Sequence, residues 1–512
     1  MPWLTIMGLL PLLGAVIVWA LPNGRDQLAR AIALITSLAV LGLGLGLAIG
    51  FDVSSAGLYQ YAENYRWIPQ IGASYAVGVD GIALVMVLLS AILVPVCVLA
   101  AWNEYRGNAA RNFFALILVL ETFMIGVFAA RDVFLFYVFF EAMLIPVYFL
   151  IGQFGGAQRR YAAVKFLLYS LLGGLVMLVA VIALYHQGPG GEQGFLTGSL
   201  TGVFAADAAG AVPVMAERLM FLGFFLAFAI KAPMWPVHTW LPDAASEAPP
   251  AVSVLLVGVL DKVGTFGMIT LCLPLFPNAS RWAAPVIMVF AVISVLYGAL
   301  LAIGQSNLMR LIAYTSISHF GFIVLGVFAM TTTGQSGSAL YMVNHGFSTA
   351  ALFLVAGMLI SRRGSSTIGD FGGLQRSTPV LAGAFLLAGL SSLALPGLSS
   401  FISEFLVLVG TYQRYPVVAI VSTLGIILAA LYILITYQRM FTGPKQEFAS
   451  AWRDLDSREM WVVAPLVAVI IALGFYPKPV LDVLTPAVDR TMQQVQQVDP
   501  DPAVQIAEGA TP

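Results

Sequence analysis

The sequence is dominated by long apolar stretches, each about 20 residues long, which is the length that spans a bilayer as an α-helix. Hydrophobic residues make up 60% of the 512-residue chain and charged residues only 10%, whereas a soluble domain carries about 25% charged residues. We therefore predict an all-α, polytopic membrane protein with about 14 transmembrane helices. The predicted stretches are residues 2–21, 29–50, 80–102, 112–130, 133–153, 163–186, 218–240, 250–273, 284–304, 308–330, 337–360, 378–410, 416–438 and 460–476.

The first stretch lacks a basic leader and a small-residue cleavage site, so we interpret it as a spanning helix and not as a signal peptide. The segments 51–79 and 187–216 are predicted to be polar loops, and the tail after residue 478 is predicted to be polar with a disordered end.

Composition excludes several classes of function. The net charge is −1, so nucleic acid is not an expected partner. Cys97 and Cys272 stand far apart in apolar stretches, without the spacing of a metal site. No dinucleotide or phosphate-binding loop is present in the sequence. We therefore expect no cofactor and no metal in this chain, and we expect any redox chemistry to belong to other chains.

The arginines and lysines predict the orientation in the membrane. Loops after odd-numbered stretches hold twice as many of them as loops after even-numbered stretches. Because basic residues favour the inner side, we predict that both termini lie on the outer side of the membrane.

A faint internal repeat divides the chain. At an offset of 175 residues, the segment 132–152 lies over 307–327, and 166–178 lies over 341–353. An odd number of spans separates the copies, which predicts inverted repeats of the kind found in transporters. We expect three N-terminal helices in 1–111, one five-helix repeat in 112–273, an inverted one in 284–438, and a last helix with a polar tail in 439–512.

The two repeats also hold interrupted helices in matching places. The segments are 229–242, with Pro233 and Pro236, and 391–405, with Pro396 and Gly397. Proline removes a helix hydrogen bond, and non-helical backbone persists at membrane depth only beside protein or water. We therefore predict discontinuous seventh and twelfth helices.

Several ionisable residues lie inside apolar stretches, although a charge at the bilayer centre costs about 2.5–3.5 kcal/mol. Burial disfavours a charged lysine and a nearby carboxylate favours it, so alternating acids, bases and histidines can relay protons. Each residue taken alone can also be explained as a structural ion pair or a buried histidine. These residues are Glu141, Lys231, Lys262, His319, His345 and Glu404.

Four further residues are possible relay or supporting groups. Lys165 lies near the inner end of its helix, where it either takes part or snorkels to the surface. Asp243 and Glu247 flank the first interruption, and helix capping explains them as well as a functional role does. His238 lies within that interruption.

At these motifs the sequence resembles a known family, the antiporter-like chain M subunits of NADH–quinone oxidoreductase, or respiratory complex I. The resemblance covers residues 80 to 480. The motifs that carry it are VFFEAMLIPVYFLIG, FAIKAPMWPVHTWLPDA, GVLDKVGTFGM, IAYTSISHFGFIVLG, NHGFSTAALFLVAG and LPGLSSFISEFLVL.

The resemblance implies roles for five residues. Glu141 resembles the glutamate that tunes the key lysine, and Lys231 resembles that proton-carrying lysine. Lys262 and His319 resemble the groups that link two half-channels, and Glu404 resembles the terminal acid, where sister subunits have lysine.

The resemblance also implies partners and a location. It implies sister antiporter-like chains on both sides, a bacterial inner membrane, and FMN, iron–sulfur clusters and quinone in the rest of the complex. Two positions depart from the family pattern. Ala245 stands where relatives often have histidine, and Asp261 beside Lys262 is unexpected, with no role that the sequence supplies.

Two other functions stay open at this point. A subunit of a multi-chain sodium/proton antiporter would share most of these motifs, and only Glu404 argues against it. A purely structural membrane scaffold would leave the buried ionisable groups unexplained.

Overall fold

The computed structural model describes residues 2–204, 213–449 and 452–500, and helices make up most of this part of the chain. Long apolar segments form helices because the bilayer offers no partner for free backbone N–H and C=O groups. The main helices are α1 (Trp3–Ala20), α2 (Asp26–Ile49), α3 (Gly81–Ala100), α4 (Asn108–Ala129), α5 (Val133–Phe154), α6 (Arg159–Gln187), α7 (Val214–Lys231), α8 (Trp240–Glu247), α9 (Pro250–Leu275), α10 (Pro277–Ile303), α11 (Leu308–Phe328), α12 (Thr332–Arg363), α13 (Pro379–Ser392), α14 (Ser399–Arg414), α15 (Pro416–Phe441), α16 (Ser457–Phe475) and α17 (Lys478–Val495).

Within the described residues, 12 helices are long and apolar enough to cross a membrane. The two other predicted stretches are the interrupted ones. The stretch 218–240 is not one helix, since α7 ends at Lys231 and α8 begins only at Trp240. The stretch 378–410 is likewise divided into α13 and α14. The membrane fold and its two helix breaks are therefore confirmed.

Prolines and side-chain caps determine where many helices begin. α9, α10, α13 and α15 all start with proline, whose missing N–H has no intrahelical partner at that position anyway. α5 and α11 begin after Asp132 and Asn307, whose side chains accept hydrogen bonds from the N–H groups of Leu135 and Arg310. These caps satisfy N–H groups that the first turn leaves free.

The starts of α5 and α11 share one pattern of backbone hydrogen bonds. In each case the residue after the cap donates to a distant loop, and that loop donates back to the residue before the cap. Asp132 and Asn307 differ by the 175 residues of the sequence offset, so the pattern supports the internal repeat. The bonds are Val133 N to Phe195 O, Thr197 N to Arg131 O, Leu308 N to Ser366 O and Ile368 N to Ser306 O, at 2.8–2.9 Å.

The helix α9 is not regular throughout. It contains two π-helical segments, Leu256–Leu260 and Met268–Cys272, with Lys262 in the short α-helical piece between them. π-Helical turns inside α-helices are found frequently at functional sites.

The predicted polar loop 51–79 contains a β-hairpin, a small addition to a fold that is otherwise helical in the described residues. The strands β1 (Gln60–Ile68) and β2 (Ala73–Val79) pair antiparallel, with Tyr65 opposite Tyr75. Ser74 N donates to the carboxylate of Asp132 at 2.9 Å. The hairpin is thereby fixed to the cap of α5.

The tail after residue 478, which the sequence predicts to be polar, is occupied in most of its described part by α17. One face of α17 is buried against the body, and Pro486 O lies directly over Gly57. The expected disordered end falls on 501–512, outside the described residues.

The helices nearest the centre of the molecule are α9, α11 and α12. The most apolar windows of these helices are 100%, 94% and 89% buried, whereas those of α2 and α16 are 33% and 28% buried. Large apolar side chains such as Ile35, Val179 and Ile427 are exposed on the outer helices, as expected for a surface in contact with lipid.

Candidate functional site

Lys231 lies at the point where α7 stops. It is the last residue of that helix and is buried, and within the described chain its Nζ has no hydrogen-bond partner. Nζ lies 5.1 Å from the ring centroid of Phe140 and 5.4 Å from that of Phe166, so two aromatic faces surround the ammonium group,. The helix break leaves the carbonyl of Ile230 free, and the indole of Trp240 donates to it at 2.9 Å.

Glu141 lies half-buried on α5, against α6. A methyl group added to Gly174 would come 1.6 Å from Glu141 Oε1, so only glycine leaves room for this carboxylate. Glu141 follows Phe140, whose ring contacts the Lys231 ammonium, but no hydrogen bond joins Glu141 to Lys231. The pair Gly173-Gly174 was the sequence signal for this contact, and sequence reasoning missed it.

Lys262 is the start of a row of buried polar side chains. Its Nζ donates to the carbonyl of Val257 at 2.6 Å and lies 2.6 Å from Nδ1 of His345 on α12. Because an ammonium group has only donors, Nδ1 of His345 accepts. Val257 lies in the first π-helical segment, which brings its carbonyl within reach of the side chain.

The far end of the row is a three-residue group on α11, α12 and α14. The hydroxyl of Tyr341 donates to Oε2 of Glu404 at 2.6 Å and lies 2.8 Å from Nδ1 of His319. Since the hydroxyl has one proton, Nδ1 of His319 donates to it. Nε2 of His319 then accepts from the hydroxyl of Ser392, the last residue of α13, at 3.0 Å.

The two parts of the row meet at a pair of histidines. The rings of His345 and His319 are 5.3 Å apart between centroids. Four predicted residues thus lie together, and Tyr341 completes the connection between two of them. Tyr341 was missed, although it lies four residues before His345 on one helix face. The four are Lys262, His345, His319 and Glu404.

The second helix break is lined by small polar side chains. The hydroxyls of Ser348 and Ser391 are 2.6 Å apart, and those of Ser391 and Ser399 are 3.2 Å apart. Asn344 donates to the carbonyl of Ser399 at 2.6 Å. These contacts satisfy backbone and side-chain groups at the interruption, and they hold the start of the helix that contains Glu404.

The supporting residues lie apart from this row. Asp243 pairs with Lys165 at 2.7 Å and also with Arg310, so Lys165 is held in an ion pair. Glu247 accepts from the N–H of Gln158 at 2.7 Å, which is a capping role at the start of α6. Arg310 was not predicted, because its place in the first turn of α11 resembles any basic loop residue.

His238 lies in the first helix break, as the sequence indicates. It is buried, and its ring is 5.5 Å from that of Tyr297. Within the described residues Nδ1 of His238 has no hydrogen-bond partner. The structure therefore places His238 near the Lys231 end of the site without joining it to the row.

Comparison with known proteins identifies the family. The family described as "NADH:quinone oxidoreductase/Mrp antiporter, TM" matches residues 130–431. NADH-quinone oxidoreductase subunit M of Mycobacterium tuberculosis is 50% identical over 98% of this chain and 96% of that protein. Subunit M of Rhodobacter capsulatus is 38% identical over 96% of each chain.

Solved structures agree with this likeness. A chain of respiratory complex I from Thermus thermophilus superposes with a TM-score of 0.86 at 32% identity, over 96% of this chain and 99% of that one. A chain of the Mrp complex from a Dietzia strain superposes with a TM-score of 0.82 at 23% identity, over 97% and 99%. At that identity the second likeness shows the fold alone. The chain belongs to the NADH:quinone oxidoreductase/Mrp antiporter membrane family and, within it, to the NADH-quinone oxidoreductase subunit M proteins.

Proposed function

We propose that this chain translocates protons as a membrane subunit of NADH:quinone oxidoreductase. The observation that carries the proposal is the row from Lys262 to Glu404, which crosses α9, α12, α11 and α14 through side chains that can bind and release protons. Catalysis of the kind found in soluble enzymes does not explain such a row. Ionisable residues in the membrane interior usually mark the pathway of an ion or proton.

The first step of the mechanism takes place at Lys231 and Glu141. Lys231 lacks a fixed hydrogen-bond partner within the described chain, so its proton is not committed to one acceptor. The carboxylate of Glu141 stabilises the protonated lysine by its charge,. A change in the charge or position of Glu141 therefore changes the affinity of Lys231 for its proton.

The second step moves the proton along the row. Lys262 passes a proton to His345, and transfer to His319 then requires a ring rotation or one intervening water molecule, given the 5.3 Å between ring centroids. The hydroxyl of Tyr341 accepts a proton from His319 while it donates its own to Glu404. Glu404 is the last group of the row and releases the proton toward the outer side.

Other subunits supply the energy. We place FMN, the iron–sulfur clusters and quinone in the rest of the complex, with sister antiporter-like chains on both sides of this one. We further propose a bacterial inner membrane with both termini outside, because the loops on the opposite side carry most of the basic residues. Residues 112–273 and 284–438 are then the two inverted repeats of the pathway.

The test of this function uses the assembled complex in vesicles. We expect Lys231→Ala and Glu141→Ala each to lower internal acidification at least about tenfold, which corresponds to about 1.4 kcal/mol of added barrier. Glu141→Asp keeps the charge and is expected to be milder. NADH oxidation with an artificial electron acceptor, measured in parallel, reports how much complex has assembled.

Matched controls are available in the exposed loops. Lys445→Ala and Glu192→Gln remove exposed charges and are expected to leave acidification unchanged. Full acidification by assembled Glu141→Ala or Lys231→Ala complex would contradict the mechanism. A requirement for sodium ions in the vesicle medium would favour the sodium/proton antiporter instead.

A further inference from the structure

Asp261 is a buried carboxylate that the pathway above does not use. It lies in the middle of α9 with no exposed surface, and neither of its carboxylate oxygens has a hydrogen-bond partner among the described residues. An isolated charge in such a place is costly unless another charge compensates it.

The geometry of α9 shows where this carboxylate points. Gly264 lies one helical turn after Asp261 and therefore on the same face. A methyl group on Gly264 would lie 2.5 Å from the carbonyl of Phe228 and 2.6 Å from the N–H of Ala232. This face of α9 is thus pressed against the end of α7, where Lys231 lies.

Lys262 leaves the same helix in another direction. Its side chain reaches His345 on α12, whereas the face that Asp261 shares with Gly264 meets α7. Asp261 follows directly on the π-helical segment Leu256–Leu260, which displaces the helix register at this point. Asp261 and Lys262 are adjacent in sequence, but the face of Asp261 meets α7 whereas the side chain of Lys262 reaches α12.

The charges along this line alternate in sign. Asp261 is adjacent to Lys262 in the chain and shares the face of α9 that meets the end of α7, where Lys231 lies. The Lys231 ammonium in turn packs against Phe140, the sequence neighbour of Glu141. The order is therefore Glu141, Lys231, Asp261, Lys262.

We propose that Asp261 is the shared counter-charge of the two lysines and positions the proton for its transfer from Lys231 to Lys262, a role that rests on the proposed proton-pumping function. An N–H bond of the Lys231 ammonium breaks and an N–H bond forms on the Lys262 amine. The step involves no oxidation or reduction. The carboxylate stays ionised, and the positive charge moves from one side of it to the other.

The experiment compares Asp261→Asn, Asp261→Glu and Asp261→Leu in the complete complex. Asp261→Asn removes the charge with little change of shape, and we expect acidification per assembled complex to fall about fivefold or more, as the loss of a close charge in a low dielectric predicts. Asp261→Glu restores the charge and is expected to recover at least half of the acidification. Asp261→Leu leaves no unpaired polar group behind, so it tests the same point if the asparagine variant does not assemble.

Glu121 on α4 supplies the matched control. It is also fully buried, with both carboxylate oxygens lacking a partner within the described residues, but no lysine charge acts on it. Glu121→Gln is therefore expected to keep normal acidification.

Two results would overturn the role of Asp261. One is normal acidification per assembled complex in Asp261→Asn or Asp261→Leu. This includes a variant that assembles less complex but acidifies normally for the complex that is present. The other is an Asp261→Glu variant no better than Asp261→Asn. If Lys231→Ala and Lys262→Ala remain inactive in the same experiment, the proposed function stands while this inference fails.

Discussion

Tyr341 connects the two best-placed titratable groups of the site. Its hydroxyl contacts both His319 and Glu404, at 2.8 and 2.6 Å, and the side chain is fully buried. A hydroxyl can accept one proton while it donates another. Within the row, Tyr341 is therefore an uncharged link between His319 and Glu404.

We expect Tyr341→Phe to separate proton transfer from folding. The ring keeps its packing, but the connection between His319 and Glu404 is lost, and proton pumping should fall by roughly tenfold or more. Vesicle acidification per NADH oxidised is the measurement. Tyr432→Phe is the control, because Tyr432 is equally buried and its hydroxyl has no partner in the described structure. Equal activity of the two variants would remove Tyr341 from the pathway.

At this scale the sequence predicts charged groups well and neutral ones poorly. Lys262, His319 and Glu404 stand out because their charge or polarity is costly in an apolar helix. Tyr341 and Gly174 do not stand out, since tyrosine and glycine are ordinary residues in membrane helices. Their roles depend on which helices become neighbours, and that is tertiary information.

Among the elements, α9 makes a close contact with the first helix break. The N–H of Ala232 and the carbonyl of Phe228 lie over Gly264. Both are backbone atoms, so no side chain can move aside to admit a larger residue. The position of the broken end of α7, and hence of Lys231, depends on this contact.

Gly264→Ala should therefore displace the end of α7 and destabilise the subunit by about 1–3 kcal/mol, the usual cost of overpacking. Thermal inactivation of the assembled complex would report the loss. Gly258→Ala is the control on the same helix, because its nearest neighbour is the movable tip of Leu93 at 3.3 Å. If the complex with Gly264→Ala were as stable as the complex with Gly258→Ala, the contact between Gly264 and the end of α7 would not be tight.

The helix breaks were predictable, whereas the π-helical segments and the hairpin were not. Pro233, Pro236 and Pro396 remove backbone donors, which is a local effect that can be read from sequence. The π-helical segments of α9 have no such local cause. The hairpin was missed because its pairing joins segments that composition marks only as a polar loop.

For the molecule as a whole, the loops divide between two opposite sides of the helices. Arg66 lies in the hairpin on the side of the α5 cap, and Lys445 lies in the loop after α15. The basic residues predict that the first side faces outward. The orientation stays a prediction, although the fold is confirmed.

Cysteine labelling in intact cells tests the orientation. A membrane-impermeant thiol reagent should label Arg66→Cys and not Lys445→Cys, and inverted vesicles should give the opposite result. The native Cys97 and Cys272 are both buried and free, so background labelling should be low. Labelling of Lys445→Cys in intact cells would reverse the assigned topology.

Three side chains of the row lie at mid-length of their helices, and we expect them to lie at a similar depth in the membrane. Lys262, His345 and His319 each lie near the middle of the helix that holds them. A unit charge that crosses the bilayer does electrical work of about 2.3 kcal/mol per 100 mV, but a charge that moves parallel to the membrane plane does almost none. We therefore expect the back-pressure of an energised membrane to act on proton uptake and release, and lateral transfer along the row to proceed at the same rate in charged and uncharged vesicles.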